Sequence, residues 1–144
     1  MNGQDLNGES GTDKRNSAWC TSYRHPSRWN QCRIARRDAK WAGNAAYDES
    51  FILVRNPRFA QFRREGIQNA VRHCAWSASM TMDLGEHDAR GFLGRHEEPG
   101  DVSHDHFADL HNNDVGVSIG QNSHSRAEIL RSCSGNSSLD YTGG

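Results

Sequence analysis

At 144 residues the chain has the length of one domain, yet Ile, Leu, Val and Phe number only 22, about 15% of it, below the roughly 20% of ordinary globular chains. Such a shortage signals disorder when it accompanies a large net charge; the formal charge here is −1, so a folded domain with a thin core is expected. The near-neutral balance does not indicate a nucleic-acid groove, and no apolar run is long enough to span a bilayer.

Residues 1–16, MNGQDLNGESGTDKRN, are small or polar and read as a disordered N-terminal tail that also lacks the apolar centre of a signal peptide. If the domain is exported, its signal lies outside this sequence. The folded part is expected over 17–133. Four tryptophans, Trp19, Trp29, Trp41 and Trp76, supplement the thin core, each able to bury roughly 150–250 Å².

Four cysteines in a small polar chain have the arithmetic of a secreted domain with two disulfides. Cys20 and Cys32 flank the short loop TSYRHPSRWNQ and are paired with each other, which leaves Cys74 to reach Cys133. Loops of those lengths would contribute about 3 and about 4 kcal/mol. The alternative is four reduced cysteines in a cytosolic chain; no CxxC pair suggests a zinc ribbon or a thioredoxin-type site.

From there the apolar spacing is helical. QCRIARRDAKWAGNAAY sets Ile34, Asp38 and Trp41 near one side, with Ala35, Ala39 and Ala42 beside them. Pro57 breaks the pattern, and the next helix, over 66–84, has Ile67, Ala70 or Val71, Cys74 and Ala78 as its inner stripe and Gly85 as its terminator. A third helix over 87–97 carries Ala89, Phe92, Leu93 and His96 and ends at Pro99 and Gly100. A fourth over 103–119, with Ser103 as N-cap, buries Phe107, Leu110 and Val117, and SRAEILRSC brings Cys133 back. SFILV, residues 50–54, could form a strand, but a lone strand has no partner. The expectation is therefore an all-α fold, a small disulfide-stapled bundle of about five helices, with 134–144 a second disordered tail.

The ionisable residues inside this pattern point to chemistry. Arg72, His73 and Cys74 fall within the core helix between Val71 and Trp76, where an unpaired charge would cost several kcal/mol. Five of the eight histidines lie between 87 and 111, interleaved with acids: His87, His96, Glu97, Glu98, Asp101, His104, Asp105, His106, Asp109, His111 and Asp114. Four-residue steps place Asp105, Asp109 and Asn112 or Asn113 on one helix face, toward which Glu97 could turn from the preceding helix and His73 from the one before.

Two uses fit such a pocket. In one, His73, Glu97, Asp105 and Asp109 hold a divalent cation, Zn²⁺ or Mn²⁺ by the mixed imidazole and carboxylate ligands, which acidifies a water. In the other no metal is present: Glu97, its pKa raised by a low-dielectric niche, is a general acid or base with Asp109 as its partner. The structural alternative is a polar network or a solvated acidic face. HNN at 111–113 lacks the hairpin that HNH nucleases need, and AVRHCAW lacks the glycine-rich calcium loop of the secreted phospholipases A2.

NAVRHCAW, RHE at 95–97 and DLHNNDVGVSIG at 109–120 resemble an uncharacterised family of small helical domains of bacterial secreted proteins, found at the C-termini of polymorphic or Rhs-type toxins. The similarity spans roughly 19–120 and falls on Asn69, Arg72, His73, Trp76, His96, Glu97, Asp109, Asn112, Asn113 and Gly116. It departs at RREGIQNA, where many relatives have a glycine-rich approach to the central helix. The resemblance implies an exported, toxin-like context, with a carrier polypeptide and an immunity protein as partners, and no established reaction.

Together these readings give a secreted effector with hydrolase favoured. His73, Glu97 and Asp109 would be catalytic, and Arg72, His96, Asn112 and Asn113 would bind substrate. A lipid or nucleic-acid phosphodiester suits Arg72 and a metal; a cell-wall glycan suits a metal-free Glu97 and Asp109 pair. The remaining alternative is a non-enzymatic module that binds a receptor or immunity protein.

Overall fold

A computed structural model describes residues 14–21, 25–97 and 100–143 of the chain. Among them, six α-helices follow in order: α1 (Lys14–Cys20), α2 (Ser27–Leu53), α3 (Arg64–Leu84), α4 (Glu86–His96), α5 (His104–Gln121) and α6 (Arg126–Cys133), with a 3-10 turn at Pro57–Phe59. The all-α expectation holds, and both expected disulfides, Cys20–Cys32 and Cys74–Cys133, are present. SFILV is the last turn of α2 and the residue that caps it. Residues 1–13, with Glu98 and Pro99, lie outside the described residues.

The thin core works because α3 is central and its neighbours approach closely. Every residue from His73 to Thr81 is buried, as in a helix enclosed on all sides. α2 meets it with Ala35, Ala39, Ala42 and Ala46, side chains short enough to let two helices close without large residues between them. Polar residues inside α3 satisfy themselves locally: Ser77 and Thr81 hydroxyls donate to the carbonyls four residues back, at 2.6 and 2.8 Å. Trp76 fills the α2 side and donates Nε1–H to the Ala35 carbonyl at 3.2 Å.

On the opposite side α5 runs parallel to α3, since Asn69 meets Asp109 and His73 meets Asn113 at the same sequence separation of 40. Closeness here depends on glycine. A methyl group at Gly116 would sit on the Cys74 carbonyl and 2.8 Å from Ser77 Cβ; one at Gly120 would sit on the Ala78 carbonyl and 2.8 Å from Thr81 Cβ. The ridge 69, 73, 77, 81 of α3 thus lies along 109, 113, 116, 120 of α5, an i+4 ridge against a face of nearly the same pitch. Parallel neighbours cannot be joined by a tight turn, and the return path is α4, started at Gly85, whose φ is +90°.

Two expectations at the chain ends are corrected. The helix begins at Lys14 within the expected N-terminal tail, and Asn16 is buried, its amide donating to the Phe92 carbonyl at 3.1 Å and accepting from Arg95 Nε at 2.9 Å. The segment after 133 is anchored too. Leu139 and Tyr141 join the core, with the Tyr141 ring 5.1 Å from Phe59 and 5.5 Å from Phe62. Two apolar residues in a run of Gly, Ser, Asn and Asp escape a composition argument, yet they suffice because backbone bonds to α5 hold the segment between them.

Candidate active site

α3, the end of α4 and the first half of α5 bring ionisable side chains together. His73, on α3, lies with Nδ1 3.0 Å from Asn113 Oδ1 and Nε2 3.3 Å from Asp109 Oδ1. Asn113 donates Nδ2–H to Glu97 Oε1 at 3.3 Å, and the other oxygen of Glu97 lies 3.2 Å from His106 Nδ1. Two imidazole–carboxylate pairs, His73 with Asp109 and His106 with Glu97, are thereby joined through one amide. On the far side Asn69 donates to Asp109 Oδ1 at 2.7 Å and accepts from Arg72 Nη2 at 2.6 Å.

The bonding assigns protons. With its NH₂ turned to Glu97, the Asn113 amide presents its carbonyl oxygen to His73, which favours the tautomer with hydrogen on Nδ1; Nε2 is then an acceptor and bonds to Asp109 through a proton on that carboxyl. Burial, with Arg72 and His96 nearby, holds His73 well below its ordinary pKa and keeps it neutral. Burial pushes Asp109 up to about 6 against the bond from Asn69, with the Glu97 and Asp105 charges adding to the rise. Burial also raises Glu97, opposed by His96 and His106. Arg72 falls to about 10 on burial, with Asp109 holding it up, so it is still a cation at neutral pH.

Of the residues expected in the site, the fold brings together Arg72, His73, Glu97, Asp109 and Asn113. His96 is buried beside them, its ring 5.2 Å from Trp76 and 6.4 Å from His73. Asn112 is a correction: its amide donates to the Asp140 carbonyl at 2.9 Å and accepts the Asp140 N–H at 2.7 Å, so it fastens the C-terminal segment instead of joining the His73 cluster. Asp105, one turn before Asp109, acts on it through charge. Among the described residues no three His, Cys, Asp or Glu side chains gather as a metal-binding group; Asn113 stands between His73 and Glu97.

Sequence reasoning gave His106 no role, although it stands three residues before Asp109 and so on a neighbouring strip of α5. Ser77, one turn after His73, donates to Asn113 Oδ1 at 3.1 Å and likewise has no place in the sequence reading.

No curated protein and no solved structure matches the chain. A family model described as a domain of unknown function, DUF6973, matches residues 37–137, a span holding all of α3, α4 and α5 and every member of the cluster. The chain therefore belongs to the DUF6973 family.

Proposed function

We propose that the chain is a toxin-like, exported hydrolase that works by general acid–base chemistry on an anionic substrate, a phosphodiester of lipid or nucleic acid. The observation that carries this reading is the joining of two imidazole–carboxylate pairs, from three helices, through Asn113. A fold with so thin a core gains little by enclosing five titratable groups, whereas a proton-transfer site requires them. Asp109 and the Nε2 lone pair of His73 together accept the proton of an attacking water or hydroxyl, His106 with Glu97 returns one to the leaving oxygen, and Arg72 offsets the charge on phosphorus. The two disulfides suit an oxidising compartment.

Joint ligation of a cation by His73 and Glu97 would need Asn113 to withdraw, so the proposal is framed on the chain's own groups. The test is turnover of RNA, DNA, phospholipid and peptidoglycan, with EDTA and without, by the wild type, His73→Ala and Glu97→Gln. Expected is phosphodiester cleavage that survives EDTA and drops at least about 100-fold in each variant at a temperature where circular dichroism shows the variant still folded. Loss on chelation with recovery on Zn²⁺ or Mn²⁺ would move the reading to metal-assisted hydrolysis, and release of reducing sugar would move it to the glycan alternative on Glu97 and Asp109.

A second reading, a binding module held together by a polar network, is favoured by one observation: His73 is only 3% exposed. No turnover of any substrate, with His73→Ala and Glu97→Gln lowering only the melting temperature, would select it.

A further inference from the structure

The near-zero net charge conceals a division. Residues 28–72 hold ten Lys and Arg against four Asp and Glu; residues 73–144 hold four against eleven. The basic excess emerges on one face of α2. Arg33, Lys40 and Tyr47 follow at seven-residue steps, two helical turns each, and Val54, the cap of the helix, continues the line. Arg36 and Phe51 flank it, and all six side chains are exposed. The face is cationic in its first half and apolar in its second.

The apolar end is built, not scattered. The Tyr47 and Phe51 rings meet edge to face at 4.9 Å, and the Arg64 guanidinium, held by Ser50 and Gln68, lies 4.5 Å over Phe51. Tyr47 is 50% exposed, Phe51 38% and Val54 37%. Arg55 and Arg58 follow in the turn after α2, and the exposed acids nearby are Asp48 and Glu65, the latter 3.9 Å from Arg63.

We propose that this face of α2 docks on an anionic lipid surface: Tyr47, Phe51 and Val54 enter the headgroup boundary while Arg33, Arg36 and Lys40 meet lipid phosphates. Charge complementarity favours a bilayer. The exposed apolar residues crown the end of a helix whose earlier turns are cationic, the arrangement of an interfacial helix with a basic polar edge. A nucleic acid would use the cations but has no use for an aliphatic Val54 at the tip, and an acidic polypeptide would be held by the arginines alone. The surface is separate from the His73 cluster, so docking stands whether or not the chain proves to be a hydrolase.

The experiment is co-sedimentation of the whole chain with phosphatidylcholine vesicles, pure or with about one third phosphatidylglycerol. Two double variants accompany it, Phe51→Ser with Val54→Ser and Arg36→Glu with Lys40→Glu, each checked by circular dichroism. The expected result is pelleting with the anionic vesicles only, weakened by added salt and reduced at least about tenfold in both double variants. Absence of pelleting, equal pelleting with neutral vesicles, or full binding by the Phe51 and Val54 variant would overturn the proposal, the last pointing to a soluble polyanion. A wild-type dimer in vesicle-free solution that the same variant converts to monomer would overturn it in favour of a second copy of this chain.

Discussion

Asn113 is the residue that joins the two halves of the cluster, because its amide donates to Glu97 on one side and presents its oxygen to His73 Nδ1 on the other. Replacing it with Leu keeps the branching of the side chain but leaves both neighbours without that partner, and is expected to lower stability by about 1–3 kcal/mol, measured by urea unfolding. Asp109 sets the pH response. As its pKa is pushed up to about 6, it becomes a proton acceptor as pH rises past that value, while His73 is already neutral. Activity should climb from about pH 5 to pH 7, and Asp109→Asn should abolish the climb together with most of the rate, read from a pH–rate profile. His73, Glu97 and Asp109 were legible in the sequence because ionisable groups at core-facing positions demand partners. Asn112 and Asn113 were not separable, since adjacent residues on a helix point about 100° apart and the phase of α5 could be known only from what it packs against.

At the level of the helices, the approach of α5 to α3 is what lets side chains as short as Asn and Asp reach His73. Gly116→Ala and Gly120→Ala each force a methyl group onto a backbone carbonyl of α3. Each should destabilise by about 1–3 kcal/mol and lower the melting temperature by several degrees in calorimetry; because the displaced helix carries Asp109 and Asn113, activity should fall further than stability alone accounts for. Periodicity revealed α3, α4 and α6 because each has a clear apolar stripe and a punctuating Gly, Pro or Ser; α5 was marked by its Ser103 cap, but of the three residues expected to be buried only Val117 is, Phe107 and Leu110 being exposed while Asn112, Asn113, Gly116 and Gly120 face inward. α1 stayed hidden: Ala18, Trp19 and Cys20 are its only apolar residues, too few to form a pattern. The parallel pairing of α3 with α5 was hidden for another reason: no local signal records how near two glycines let backbones come.

For the molecule as a whole, stability depends on pH through buried acids outside the site. Asp38 is fully buried between α2, α3 and α6, bonded to Arg126 at 3.0 Å, and burial followed by Asp83 pushes it up to about 7 from 3.8. The folded chain therefore holds more protons than the unfolded one between those values, so this contribution is complete below about pH 4 and is lost as pH rises to about 7. Asp38→Asn, which retains an acceptor for Arg126, should shrink the difference between unfolding free energies measured at pH 5 and pH 8. His73, lowered by burial, acts in the opposite sense, losing stability as pH falls below its ordinary value. The cross-links support the same thin core: reducing both should cost several kcal/mol and lower the urea midpoint, with Cys74→Ala plus Cys133→Ala costing about 4 kcal/mol by loop length.

The parallel course of α3 and α5 also fixes when the pocket can exist. During synthesis, a chain that has emerged only as far as α4 carries Arg72, His73 and Glu97 but neither Asp109 nor Asn113, the two groups that reach His73 across a separation of 40 residues. Until the ribosome has passed α5, the half-made protein has its titratable helix without the surface that encloses it, and the cluster around His73 is among the last parts of the domain to be assembled.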